Sequence, residues 1–467
     1  MPGRSCTWAV STWREETSSR PGNSSRRPIQ SPGVSAGLYL SERLKGSFSA
    51  STLRASIPRL PLDRRPSSVP SGARPPSVTS VPGSRSIRFK NNASCSIFTG
   101  VRNRASDLWA EGVPPGMVSF PDPRSRHPFH MHSMIRAQPS FAEETLRRVR
   151  MVDFGTSLSR VRHLVLTGCG TSFHAALYGM KILQRSFGTR CVVEATHAYN
   201  MAFGPLPPGK PTILGVSHSG ATPTTNRALA RGKRAGLRTL GVCGLSNSAM
   251  EGIVDRLLII GSTHDRSWAN TMSYTTQLIA FASLAAQGRG DWADVTRDIT
   301  RLPRLMRKTL LTESAIRRLA RRVARHDKIT FLGAGLDEIT ALEAALKIRE
   351  TCGLTASAYH PEQFLHGPFL SLDRDESIVF LRSRQDGQRA DSARRAFLKT
   401  GASVTMIGEH PRASTRLPST HPYLRPILSV IPMQFLAYYA ALARHANPDI
   451  MRTDIPRLRA GVAALFH

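Results

Sequence analysis

Residues Ser217-His218-Ser219-Gly220-Ala221-Thr222 close an apolar run from Pro211 to Val216 and open a helical pattern from Pro223 to Ala235. Hydroxyls and backbone N–H groups at a strand-to-helix turn make an anion cradle: the helix start supplies unpaired donors and the positive end of the dipole, and Gly220 allows close approach. A second turn of this kind lies upstream, where Arg162 to Thr167 runs into Gly168-Cys169-Gly170-Thr171-Ser172 and then a helical stretch from Phe173 to Arg185. Either cluster alone reads equally well as an ordinary N-cap or turn. The two together point to a phosphorylated small molecule. No Gly-Lys-Ser/Thr follows the glycines, and Gly168-x-Gly170 lacks a third glycine, which argues against ATP and NAD. No cofactor is expected.

A second set of chemically able residues lies downstream. Glu343, Lys347 and Glu350 fall at i, i+4 and i+7 of a helical stretch from Ile339 to Cys352 and so share one face, and His366 follows in the loop His366-Gly367-Pro368. Carboxylate, ammonium and imidazole on neighbouring elements can move protons. The same spacing also serves as plain Glu–Lys support of a surface helix.

The elements that must position these residues are an alternation of strand-like and helical runs from about Phe141 onward, the pattern of a parallel sheet covered by helices. It occurs twice, 165 residues apart: Gly168-Cys169-Gly170 recurs as Gly333-Ala334-Gly335, Ile213-Leu214-Gly215-Val216 as Ile378-Val379-Phe380-Leu381, and Gly236 as Gly401. The expected architecture is α/β, with two tandem doubly wound domains. In the second copy Ser217, Ser219 and Gly220 become Arg382, Arg384 and Gln385, so one phosphate site per chain is expected, in the first copy.

The chain has 467 residues and a formal net charge of +32. Residues 1–130 are rich in Arg, Ser and Pro without apolar periodicity, the signature of a disordered tail. That tail reads either as a mimic of an organellar transit peptide or as an upstream-extended reading frame with Met131 or Met134 as the working start. The expected order is the tail, a first domain over 131–295, a helical linker over 296–314 and a second domain over 315–460. The basic excess is scattered arginine rather than a patch interleaved with aromatics, which disfavours specific nucleic-acid binding. Nothing runs to 18 apolar residues, which disfavours a membrane partner. Cys6, Cys95, Cys169, Cys191, Cys243 and Cys352 show no Cys-x-x-Cys pair, so no metal site or disulfide framework is indicated and a reducing cytoplasm fits.

In density and order these motifs resemble the sugar isomerase (SIS) domain pair, as in the isomerase half of glutamine:fructose-6-phosphate amidotransferase. The resemblance covers about residues 130 to 460. It is carried by Met134 to Pro139, Gly168 to Ala176, Ser217 to Thr222, Tyr274 to Gln277, Ala341 to Glu350, Ala358-Tyr359 and His366-Gly367-Pro368. It implies that Thr171, Ser172, Ser217, His218, Ser219 and Thr222 hold a sugar phosphate, with Cys169, Gly170 and Asn270 as possible further contacts. It also implies that Glu350 moves a proton between C1 and C2, that His366 assists ring opening, commonly from the other subunit of a homodimer, and that Glu343 and Lys347 are the remaining charged groups of the site.

The sequence departs from that family at several points. His218 stands where a glutamine is usual and Asn270 where a serine is usual. Residues 1–130 hold nothing able to fold as a glutaminase domain, and Lys399 is the last lysine, so neither glutamine-driven synthesis nor a Schiff base from a C-terminal lysine is expected of this chain. The expected function is a sugar-phosphate isomerase or aminosugar-phosphate deaminase. The alternative is a non-catalytic sugar-phosphate sensor, against which the retained Glu343, Lys347, Glu350 and His366 argue.

Overall fold

The computed structural model describes residues 124–287 and 292–465. For residues 1–123 the expected tail lies outside the described residues. Its last part is different, because the chain is anchored from Arg124 on. Asp449 accepts hydrogen bonds from the backbone N–H groups of His130 (2.7 Å) and Met131 (2.8 Å), and the Tyr438 hydroxyl is 2.7 Å from His127 Nδ1 and 3.1 Å from the Phe129 nitrogen. Met131 is completely buried. Packed structure thus begins ahead of the boundary expected at 131, and a chain starting at Met134 would lose these contacts.

The first sheet contains β1 (His163–Gly168), β2 (Val192–His197), β3 (Thr212–Ser217), β4 (Thr239–Cys243) and β5 (Arg256–Ile259), in the order β2-β1-β3-β4-β5. The second contains β6 (Lys328–Gly333), β7 (Thr355–Tyr359), β8 (Glu376–Arg382), β9 (Ser403–Gly408) and β10 (Thr415–Arg416), in the order β7-β6-β8-β9-β10. Every pairing is parallel. The two orders are the same, and the 165-residue repeat of the sequence maps β1 onto β6, β3 onto β8 and β4 onto β9. The expected helical linker over 296–314 falls on the helix Ala293–Leu310 and the start of the helix Glu313–Val323.

The central strands are apolar on both faces because helices cover both. Leu164, Leu166, Leu214 and Val216 of the first sheet and Phe331, Val379 and Leu381 of the second belong to one shared core, whereas Val165 and Ile213 face a separate cluster on the far side of the first sheet and Leu332, Ile378 and Phe380 one on the far side of the second. The shared core is filled by two helices buried on every side, Thr271–Gln287 and Arg425–Ala443. By length and composition the segment Pro422–Ala443 could cross a membrane, yet 89% of its apolar window is buried inside the protein. Packing around the first of these helices is close. A Cβ on Gly179 would stand 2.8 Å from Leu166 and 2.9 Å from Phe281, so a larger residue where the helix Thr171–Phe187 crosses would force these core side chains to shift.

In each sheet the chain leaves the first strand toward one edge and returns on the other side, between β1 and β3 and between β6 and β8. That reversal opens a crevice at the carboxyl ends of the strands, where ligands of such sheets bind.

Candidate functional site

A cavity of about 290 Å³ occupies the crevice of the first sheet, lined by Cys169 to Ser172, by Ser217, His218, Ser219 and Thr222, by the loop from His264 to Asn270 with Ser273, and by Glu350. Both hydroxyl-rich turns therefore meet in one place, and one residue of the charged helix face joins them.

The turn after β3 is built by its own hydroxyls. Ser217 Oγ accepts from the Gly220 nitrogen (3.0 Å) and lies 2.9 Å from Thr222 Oγ1, and Ser219 Oγ accepts from the Ala221 nitrogen (3.2 Å). Gly220 is left-handed, and a side chain there would strike Ser248. Thr222 stands at the N-cap of the helix Pro223–Arg234 without making a side-chain cap bond, and it lines the cavity. In the other turn Gly170 has φ 51°. Ser172 Oγ accepts from Gln277 Nε2 at 3.2 Å and keeps its own proton to donate.

Thr171 departs from its expected role. It is 8% exposed, and its hydroxyl donates to Glu343 Oε1 (3.1 Å) while accepting from Lys347 Nζ (3.0 Å). It is thus engaged with the charged helix rather than offered to an anion. His218 lines the cavity, but its ring is committed elsewhere: Nε2 accepts from the Asp265 nitrogen at 3.1 Å, and Nδ1 is buried without a partner. Burial, with a smaller contribution from His264, pushes its pKa down to about 3, so it is neutral at neutral pH. Asn270 also adopts a left-handed backbone and accepts from Ser273 Oγ at 3.3 Å.

Glu343, Lys347 and Glu350 share one face of the helix Asp337–Cys352, as their spacing requires. The face is buried, which removes the surface-helix reading. Lys347 and Glu343 have no exposed side-chain surface and Glu350 has 14%. Lys347 Nζ donates to Glu350 Oε2 (2.5 Å), to the Ala269 carbonyl (2.5 Å) and to Thr171 Oγ1, and lies 3.4 Å from Glu343 Oε1. Burial alone would pull its pKa down, but the Glu343 and Glu350 carboxylates outweigh that and hold it above the usual lysine range. Burial lifts Glu350 above the ordinary carboxylate range although Lys347 pulls it back. Burial also opposes ionisation of Glu343, yet Lys347 and then His174 hold its pKa below that range. The charged groups thus divide into a fixed carboxylate at depth, an ammonium between, and a carboxyl of raised proton affinity at the cavity wall, the order a general base requires.

His366 is not brought to this cavity within the chain. Its side chain is 76% exposed and its nearest acidic neighbour is Glu362, at 3.7 Å. Two residues without an expected role do reach the site. His174, one helical turn beyond Thr171, has Nδ1 2.7 Å from Glu343 Oε2. Its position at i+3 was a usable signal. Asp265 is 6% exposed and accepts from the Ser267 (3.3 Å) and Ser273 (3.1 Å) nitrogens, and burial pushes its pKa up to about 6. No spacing marked it. Among the described residues no group of three His, Cys, Asp or Glu side chains is placed to hold a metal ion.

Residues 157–287, which contain the first sheet, match the SIS domain family. Over 354 residues the chain is 30% identical to the glutamine–fructose-6-phosphate aminotransferase (isomerizing) of Symbiobacterium thermophilum, a match that covers 70% of this chain and 58% of that protein. The enzyme of the same name from Thermus thermophilus is 30% identical over 348 residues, covering 69% and 57%. The chain thus spans little more than half the length of these relatives. Among solved structures, the C-terminal domain of glucosamine-fructose-6-phosphate aminotransferase from Francisella tularensis superposes with a TM-score of 0.64 at 20% identity, over 69% of this chain and 98% of that one. Tagatose-6-phosphate ketose/aldose isomerase from Escherichia coli does so at 0.58 and 19%, over 70% and 97%. At these identities the structures show a shared fold.

Proposed function

We propose that this chain, which carries an SIS domain, is a sugar-phosphate isomerase or aminosugar-phosphate deaminase built from two tandem SIS domains, one on each sheet. The observation that carries this reading is Glu350, a carboxyl of raised proton affinity at the wall of a cavity that the hydroxyl turn from Ser217 to Thr222 also lines. A hexose phosphate anchored by that turn and by the start of the helix Thr171–Phe187 would present its other end to Glu350.

In this reading Glu350 takes the proton from the carbon next to the carbonyl of the open-chain sugar and returns it to the neighbouring carbon, and an enediol forms and collapses between the two transfers. If C2 bears an amine, the proton shift gives an imine at C2, to which water adds and from which ammonia leaves. Lys347 stabilises the ionised Glu350. Its three protons are donated to Thr171, Ala269 and Glu350, which leaves no lone pair for a Schiff base. Ring opening is assigned to His366 of a second copy in a homodimer, since in its own chain His366 stands away from the cavity.

The test is to incubate the full chain with ketohexose, aldohexose and 2-amino-2-deoxyhexose phosphates while following ketose and ammonia. Interconversion of one aldose–ketose pair, or ammonia released with a ketose, supports the reading. Tight binding of the same compounds with no turnover of any would favour a sensor instead.

A further inference from the structure

We infer that His174 is a positioning residue for the acid–base chemistry of the cavity, acting through Glu343 and Lys347 on Glu350. The inference rests on the proposed isomerase reading. Glu343 is a completely buried carboxylate whose two oxygens are served from different places. Oε1 has Thr171 at 3.1 Å and Lys347 at 3.4 Å, whereas Oε2 has His174 at 2.7 Å. Among the partners of Oε2, His174 is the one that crosses from the helix of the first sheet to the helix of the second.

Lys347 sits between two carboxylates and is at present closer to Glu350 (2.5 Å) than to Glu343 (3.4 Å). That asymmetry depends on Glu343 being satisfied by other donors. Without the imidazole, Oε2 becomes a buried acceptor with no partner, a costly state that the ammonium can relieve by moving toward Glu343. Movement in that direction lengthens the contact to Glu350, weakens the support of its ionised form and raises its proton affinity. The charged groups acting on Glu350 are Lys347 and Glu343 on its own helix and His174 on the helix Thr171–Phe187, and Asp265, in the loop before the helix Thr271–Gln287, lines the same cavity. His174 lies a single helical turn from Thr171, whose hydroxyl is bonded to both Glu343 and Lys347.

The experiment compares His174→Ala and His174→Asn in the full chain. Asparagine carries an amide N–H close to the position of Nδ1 and can still donate to Glu343. For His174→Ala the expected result is kcat lowered about 10- to 100-fold with KM little changed, and the acid limb of kcat/KM moved to higher pH because Glu350 must lose its proton to act. His174→Asn is expected to restore most of kcat and the wild-type limb. Equal kcat and an unmoved limb in His174→Ala would overturn the inference, as would an alanine-like asparagine variant. If the wild-type chain turns over no sugar phosphate, the isomerase reading fails by itself, and infrared titration of the carboxyl bands still decides the role of His174. The band missing from Glu350→Gln should titrate at higher pH in His174→Ala than in wild type, and an unshifted band would overturn the positioning role.

Discussion

The two sheets have one strand order but two different crevices. At the end of β3 the first presents small hydroxyls around a cavity. At the end of β8, where Arg382 replaces Ser217, the second places a buried, paired cation instead of a hydroxyl. Arg382 is 1% exposed, donates through Nη1 (2.5 Å) and Nη2 (3.0 Å) to the two oxygens of Asp391, and reaches the Gly387 carbonyl at 3.1 Å. Ser383, the counterpart of His218, turns its nitrogen to Asp386 at 2.6 Å. A cation already paired with Asp391 stands at the strand position that Ser217 holds in the first sheet. The fold supplies the crevice and the side chains decide whether it is a site, so the second sheet contributes the helix that carries Glu350 rather than a second phosphate cradle.

If the crevices differ in this way, breaking each should have a different kind of consequence. Asp391→Ala leaves a buried guanidinium without its carboxylate and should cost about 3 kcal/mol in urea unfolding, with sugar-phosphate affinity unchanged. A loss below about 0.5 kcal/mol would mean that the pair does not stabilise the end of β8. Ser219→Ala and Thr222→Ala should do the reverse, weakening sugar-phosphate binding by about 1 to 3 kcal/mol each in calorimetry and lowering stability by no more than about 1 kcal/mol, the worth of one turn hydrogen bond. Unchanged affinity in both would reduce the first turn to a structural turn like the second.

A further difference, spread over several pH units, separates His218 from Ser383. The folded-state pKa of His218 is pushed down to about 3 from an ordinary value of 6.5. As pH falls between those values the unfolded chain takes up a proton that the folded chain refuses, so stability is lost on acidification, by up to about 1.4 kcal/mol per pH unit. His218→Gln should flatten that part of the stability profile, and Ser383→Ala should not. A profile with the wild-type slope in His218→Gln would show that the ring is not held neutral.

Much of this was legible in the sequence, and the illegible part has a common cause. The 165-residue repeat carried the order of the second sheet, and the exchange of Ser217 for Arg382 announced that its crevice had changed, because both are local facts of strand and turn. The i, i+4, i+7 spacing placed Glu343, Lys347 and Glu350 on one face but left open whether that face was buried, since burial depends on the helix Thr171–Phe187 packing against it. For the same reason the sequence offers Thr171 as a phosphate ligand although its hydroxyl is spent on Glu343 and Lys347, and it shows His174 as a residue of a helix and no more. Asp265 had no legible signal, because its loop meets the cavity only through the packing of the helix Thr271–Gln287. His366 shows the opposite limit: its motif is clear, but its single-chain position is an exposed surface.

The central claim is that the first crevice binds and Glu350, lent by the second sheet, reacts. The most direct measurement is Glu350→Gln assayed for both properties on one preparation. The account predicts turnover lowered by about 10²- to 10⁴-fold with sugar-phosphate affinity within about twofold of wild type, since a change of about 0.4 kcal/mol or less is what an uninvolved neighbour would contribute. Full turnover in Glu350→Gln would contradict it, and so would affinity and turnover lost together.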